Sequence, residues 1–294
     1  MGMVEVQRCT FSIINKEGEN MKYSPNSTNK MIKDYNFNFK KKYGQNFIVD
    51  EHIIDNIINK TEIKENSLVL EIGPGSGALT YKLCQNAKQV LCFEIDQTLS
   101  EILNNNLMDF NNVKIIYSDF LKVDLLNILK QYEYKHLYLI ANLPYYITTP
   151  IITKIIDDNI DIDKMVVMVQ KEVGDRFTAK PNTKDYNSLT LFLQYNFKIS
   201  KIMDVSRNVF LPKPNVDSVV IEFCKKDRAK VKNLKLFYKL IRDSFQQKRK
   251  TLRNNLKGYN LEIIEKILNK YGYDLSVRAE QLNLDIFVEI SNNL

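Results

Sequence analysis

Two short stretches of the chain carry residue types from which chemistry can be built. The first is Glu71-Ile72-Gly73-Pro74-Gly75-Ser76-Gly77, which follows an apolar run and precedes the helix-forming Ala78-Leu79-Thr80. Glycines at such a turn let the backbone bend sharply and bring its N–H groups close to a ligand at a helix N-terminus. An acidic side chain about 20 residues further on suits ribose hydroxyls, and that position is held by Glu94. Gly73, Gly75 and Ala78 also satisfy the dinucleotide spacing, so the loop by itself admits NAD, S-adenosylmethionine or a plain glycine-rich turn. The second stretch is Asn142-Leu143-Pro144-Tyr145. It follows the fourth apolar run, where an open α/β sheet presents residues to its ligand crevice, and it offers a side-chain amide, a rigid turn and an aromatic ring.

The elements that must position these residues are legible as periodicity. From Ser67 onward, apolar runs at Leu68 to Ile72, Val90 to Ile95, Val113 to Tyr117, Leu137 to Ala141 and Met165 to Val169 alternate with helix-period segments. That alternation predicts βαβ units and a parallel sheet covered on both faces. Two more β-like runs, Ile199 to Val205 and Val216 to Phe223, flank the turn at Pro212 and Pro214 and predict a hairpin closing the sheet edge. Beyond Lys225 the pattern becomes helical, over Leu234 to Phe245, Leu261 to Tyr271 and from Asp285 onward. Residues 1–36 are polar and aperiodic and read as a flexible arm. The expected organisation is therefore an arm at 1–36, an α/β domain at 37–224 and a basic helical domain at 225–294.

Composition bounds the function classes. With 294 residues, of which 44% are hydrophobic and 26% charged, the chain can bury one large core and a smaller one. No apolar window approaches the roughly 18 residues of a membrane span, and the N-terminus reads as neither a secretory signal nor a transit peptide, so a cytoplasmic protein is expected. Cys9, Cys84, Cys92 and Cys224 form no C-x-x-C pair, and only His52 and His136 accompany them. Neither a disulfide framework, a metal site nor a Cys-His nucleophile is expected. The net charge of +7 is concentrated, since residues 225–257 hold 13 basic and 2 acidic residues. Such asymmetry fits a polyanionic partner. Lys40, Lys41 and Lys42 form a second, smaller basic group.

At Asn142-Leu143-Pro144-Tyr145 the sequence resembles the N6-adenine methyltransferases, and from about Lys42 to the C-terminus it resembles the ribosomal RNA adenine dimethyltransferases. That resemblance implies a Rossmann-like class I S-adenosylmethionine-dependent methyltransferase sheet with a small C-terminal helical domain. It places Gly44-Gln45-Asn46-Phe47 over the cofactor, with Asn46 and the backbone at Ile48 as contacts. The Gly73 and Gly75 loop takes the methionine portion, Glu94 the ribose hydroxyls and Asp119 the cofactor adenine amine, and Asn142 is a further cofactor contact. Asn142 and the Leu143 carbonyl are expected to accept hydrogen bonds from the target N6 amine, whose lone pair is otherwise delocalised into the ring. Pro144 fixes the turn, Tyr145 stacks on the purine, and a second aromatic falls on Phe210 in Phe210-Leu211-Pro212. No strong general base is required, because the product sheds its proton readily.

Within that family, Phe245 to Asn254 and Arg278-Ala279-Glu280-Gln281-Leu282 resemble signatures of the small-subunit branch. This branch dimethylates two adjacent adenines in the 3′-terminal hairpin of 16S rRNA, acting on a partly assembled small subunit. Lys248, Arg249, Lys250 and Arg253 are the expected phosphate contacts. Lys248 stands where the family usually has arginine, which replaces a bidentate fork by a point charge. The alternatives are a 23S rRNA dimethyltransferase conferring macrolide resistance, with Asn-Ile-Pro-Phe its more usual motif, and an RNA-binding relative without catalysis. A monomer is expected.

Overall fold

In the computed structural model, which describes residues 39–40 and 43–294, the apolar runs of the first three quarters of the chain are strands. They are β1 (Phe47–Ile48), β2 (Ser67–Ile72), β3 (Gln89–Glu94), β4 (Val113–Tyr117), β5 (His136–Asn142), β6 (Lys164–Gln170), β7 (Phe197–Val205), β8 (Phe210–Leu211) and β9 (Ser218–Lys225). The expected arm at 1–36, together with Cys9, Lys41 and Lys42, lies outside the described residues.

Seven strands form one sheet in the order β4-β3-β2-β5-β6-β9-β7. The first five run parallel, and only β9 is reversed against its neighbours β6 and β7. Side chains alternate across a strand, so the central strands feed two cores. Leu68, Leu70, Leu91, Leu139 and Val167 face one side. Val69, Val90, Cys92, Ile140 and Val166 face the other. Helix α1 (Glu51–Thr61) and helix α2 (Ala78–Asn86) contribute Ile54, Ile57, Leu79 and Leu83 to the second core. Helices α3 (Ser100–Asn106) and α4 (Leu125–Leu129) flank β4, and α5 (Thr148–Asp157) carries Ile151, Ile152 and Ile155 into the first core.

The expected hairpin closes the sheet edge: β7 and β9 pair antiparallel, with β9 lying between β6 and β7 and β7 as the edge strand. Burial explains the order, because Ser218 to Ile221 are all buried whereas β7 is partly exposed along most of its length. The more apolar strand takes the position with partners on both edges.

Strand order reverses between β2 and β5, which places a crevice at their carboxyl ends. Register then decides what meets there. Leu70 pairs with Leu139 and Ile72 with Phe93, so three residues past Leu70 the Gly73 turn lies beside Asn142, and one residue past Ile72 it lies beside Glu94.

Helices α6 (Lys171–Phe177) and α7 (Ser188–Asn196) lead to the C-terminal helices α8 (Leu234–Ser244), α9 (Leu252–Asn255), α10 (Leu261–Lys270) and α11 (Leu284–Asn293). Asn233, Asn260 and Asn283 each accept the backbone N–H three residues on, capping α8, α10 and α11. Phe237, Leu240, Leu252, Ile264, Leu268 and Phe287 make a separate core, and Tyr186, Leu191 and Tyr195 from the α7 region join it. The helical unit thus completes its core with side chains from the chain before residue 225.

Candidate active site

A cleft open to solvent lies at the carboxyl ends of β2, β3, β4 and β5. Its walls include Asn46, Ile48, Gly73, Gly75, Glu94, Asp119 and all four residues from Asn142 to Tyr145. Residues spread over a hundred positions of sequence meet there because parallel strands deliver their following loops to one edge.

The glycine turn has a steric reason. Gly73 and Gly75 adopt φ of +72° and +59°, and a Cβ on Gly75 would lie 2.9 Å from the Phe47 ring. The Gly75 N–H donates to Glu94 Oε2 at 3.3 Å, and Asp96 N–H donates to Glu94 Oε1 at 2.8 Å. These two bonds aim a nearly buried carboxylate from the end of β3. Burial nevertheless pushes the Glu94 carboxyl above its ordinary value. Asp119 caps the turn Phe120–Lys122 by accepting from Leu121 N–H at 3.0 Å. Its second oxygen is 3.7 Å from Lys122 Nζ.

Asn142 ends β5 with its side chain oriented. Asn142 Nδ2 donates to the Asn46 carbonyl at 2.9 Å, which leaves Oδ1 as the acceptor that can receive an amine. Leu143 N–H donates to the Met168 carbonyl at 3.1 Å, and the Pro144 carbonyl accepts from Ile147 N–H at 3.1 Å, so the turn is fixed on both sides. The Tyr145 hydroxyl shares a 2.8 Å hydrogen bond with Ser218 Oγ. Burial pushes the Tyr145 phenol up, which suits a ring offered as a surface and not as a base.

Phe210 departs from its expected place. It is 3% exposed, belongs to the core that includes Ile54 and Val220, and does not line the cavity. The short ribbon of β1 and β8 pairs Phe210 with Ile48; Ile48 lines the cleft and Phe210 does not. Sequence spacing places an aromatic after a loop but does not show which neighbour covers it.

The expected phosphate contacts form a separate group. Lys248, Arg249 and Lys250 are exposed in the loop between α8 and α9, and Arg253 on α9 is exposed with Glu265 at 3.7 Å. Lys248 Nζ donates to the Lys184 carbonyl at 2.6 Å, tying that loop to the segment before α7. Lys40, read from sequence as part of a basic group, instead pairs with Asp96 at 2.6 Å.

Several cavity residues had no role assigned from sequence. Glu71 is 2% exposed, and burial pushes its carboxyl up to about 8, with the Cys92 thiol donating at 3.6 Å. Tyr146 is 54% exposed at the cavity mouth, its ring 3.4 Å from where a Cβ on Gly44 would lie. Their signal was adjacency: Glu71 opens the glycine-turn motif and Tyr146 directly follows Asn142-Leu143-Pro144-Tyr145.

Three acidic side chains, a glycine turn with free approach for a ligand, and an oriented amide fit a cationic, ribose-bearing cofactor. Together with the strand order, in which one reversed strand sits next to the edge, they define a Rossmann-like class I S-adenosylmethionine-dependent methyltransferase. Residues 36–294 match the ribosomal RNA adenine dimethylase family. Over 282 residues the chain is 43% identical to a ribosomal RNA small subunit methyltransferase A of Bacillus cytotoxicus, covering 92% of this chain and 96% of that one. Among solved structures, a dimethyladenosine transferase from Plasmodium falciparum superposes with a TM-score of 0.70 at 28% identity, covering 82% of this chain and 94% of that one. The 23S rRNA methyltransferase ErmE superposes at 0.69 with 23% identity, covering 84% and 99%. The two solved structures are thus about equally similar in fold. The chain belongs to the ribosomal RNA adenine dimethylase family.

Proposed function

We propose that this protein dimethylates N6 of two adjacent adenines in the 3′-terminal hairpin of 16S rRNA, using S-adenosylmethionine, during small-subunit biogenesis. The observation that carries the reading is the Asn142 amide, whose Nδ2 is committed to the Asn46 carbonyl and whose Oδ1 is left at the carboxyl end of β5 beside the Gly73 turn. S-adenosylmethionine supplies an electrophilic methyl group on a sulfonium. Asn142 Oδ1 and the Leu143 carbonyl hold the N–H bonds of the target amine and keep its lone pair available. With the cofactor bound, its methyl would pass to N6 as the sulfonium becomes a neutral thioether, and the surplus proton of the product amine would leave to solvent. Tyr145 offers its ring to the base, as expected for an adenine taken out of its stack. A sandwich with Phe210 on the other face requires Phe210 to be uncovered when the base enters. Asn46, Ile48, Gly73, Gly75, Glu94 and Asp119 hold the cofactor.

Lys248, Arg249, Lys250 and Arg253 engage phosphates, giving affinity and register, while the shape of the RNA selects the site. The protein acts as a cytoplasmic monomer on a partly assembled particle. No helix of the described residues is long and apolar enough to cross a membrane. The test is transfer of labelled methyl from S-adenosylmethionine to small and large subunits from cells lacking both activities, with modified adenines mapped by primer extension. Label in paired adenines near the small-subunit 3′ end is the expected result. Label confined to the large subunit would replace the proposal with the 23S reading.

A further inference from the structure

Asp96 lies two residues beyond Glu94, with its side chain only 2% exposed. Bonds from the segment before β1 and from the turn after β3 converge on it. Lys40 Nζ donates to Oδ1 at 2.6 Å, Gln45 Nε2 donates to Oδ2 at 2.8 Å, and Thr98 Oγ1 donates to Oδ1 at 2.7 Å. Lys40 N–H in turn donates to Gln45 Oε1 at 2.7 Å. Lys40 and Gln45 are thus fastened to each other and to one carboxylate. The residue after Gln45 is Asn46, whose carbonyl receives Asn142 Nδ2. On its other side, Asp96 N–H donates to Glu94 Oε1.

We propose that Asp96 is a positioning residue for methyl transfer: by fastening Lys40 and Gln45 it holds the Asn46 carbonyl where it orients the Asn142 amide, and by its own N–H it holds Glu94. One residue thereby links the cofactor pocket, through its backbone N–H to Glu94, with the segment that orients the Asn142 amide, through its buried carboxylate. The physical basis is that a nearly buried charge is stable only while its partners are in place, so losing one loosens the whole set. Burial opposes the charge on Asp96, but its bonds to Lys40, Thr98 and Gln45 outweigh burial and hold the carboxyl below its ordinary value. The inference rests on the methyltransferase reading above.

The test uses the full chain as wild type, Asp96→Asn, Lys40→Met, Lys40→Arg and Lys40→Met/Asp96→Asn. Methyl transfer to small subunits is measured against S-adenosylmethionine concentration, and affinity for S-adenosylhomocysteine by calorimetry. Asp96→Asn is expected to lower kcat at saturating cofactor about tenfold and to weaken S-adenosylhomocysteine binding by about the same factor, the scale of one charge-assisted hydrogen bond. Lys40→Met shifts both in the same direction by less, Lys40→Arg restores them, and the double variant is no worse than Asp96→Asn, because the two residues act as one contact. A merely structural role would lower the melting temperature and leave kcat per folded, cofactor-saturated molecule unchanged; that result, or additive effects in the double variant, overturns the proposal. Should Asp96→Asn fail to fold, Lys40→Met with its partly exposed side chain decides by the same split. If the wild type labels neither subunit, the methyltransferase reading fails, while unchanged S-adenosylhomocysteine affinity in Lys40→Met independently overturns the positioning role of Asp96.

Discussion

Asn142, Glu71 and Tyr145 carry the sharpest predictions because each has a single dominant interaction. Replacing Asn142 by Ala removes the acceptor for the target amine but no part of the glycine turn. Methyl transfer is expected to fall by about 100-fold or more, the scale of one removed electrostatic contact in a transition state, with S-adenosylhomocysteine affinity retained; wild-type turnover in this variant would remove Asn142 from catalysis. Glu71 makes stability depend on pH. Its carboxyl is raised from 4.5 to about 8 by burial, so between those values the folded protein holds a proton that the unfolded chain releases. The contribution is fully present below the unfolded value and is lost as pH rises through the folded one. Glu94 is shifted in the same direction. Thermal midpoints of the cofactor-free protein should therefore decline from about pH 5 to about pH 8, and Glu71→Gln should flatten that decline. Tyr145→Phe keeps the ring and loses only the bond to Ser218, so most activity should survive, whereas Tyr145→Ala should lose it.

Sheet register and helix packing carry the predictions of elements. Gly174 on α6 lies against β9, where an added Cβ would meet Val219 Cγ1 at 2.2 Å and Ile221 Cδ1 at 3.2 Å. Gly174→Ala should destabilise the protein by about 1–3 kcal/mol, as overpacking of a close-packed interface does. Its cofactor affinity should be unchanged, because Gly174 does not line the cavity; a wild-type thermal midpoint would show that α6 can shift off the sheet. The strands at Leu68 to Ile72, Leu137 to Ala141 and Met165 to Val169 were legible within a residue or two, since each is a dense apolar run buried on both faces. The ribbon of β1 and β8 was not, because two-residue strands have no period to read. The position of β9 inside the sheet was equally hidden, as alternation reports burial of a strand and says nothing of which neighbour it pairs with.

At the scale of the whole molecule, charge is partitioned. The exposed cations at Lys248, Arg249, Lys250 and Arg253 lie in the C-terminal helical part and are not among the residues that line the cavity. RNA binding should fall by decades as salt rises from ~50 to ~200 mM if ~6 or more phosphates are contacted. Replacing Arg249 and Lys250 by Ala should weaken binding and reduce the salt slope by roughly 1.4–1.8, with cofactor affinity unaltered. A salt slope equal to wild type would exclude both from the phosphate interface. Lys248 differs from these two, because its ammonium also ties its loop to the Lys184 carbonyl; Lys248→Met should therefore lower stability as well as affinity.

By itself the sequence determined the α/β class, the order of its main strands and the motifs on which the family resemblance rests, because those depend on local period, local turn chemistry and residue type. Tertiary structure decided what no local pattern encodes: that matched register brings Gly73 beside Asn142 and Glu94, that Asn46 orients the Asn142 amide, and that Lys40 spends its charge on Asp96. It also decided that Phe210 is buried in the core beside the sheet. The physical reason is that hydrogen-bond partners and burial are set by which surfaces meet across the sheet, and residues 40, 46, 96 and 142 become neighbours only when parallel strands deliver their loops to one edge.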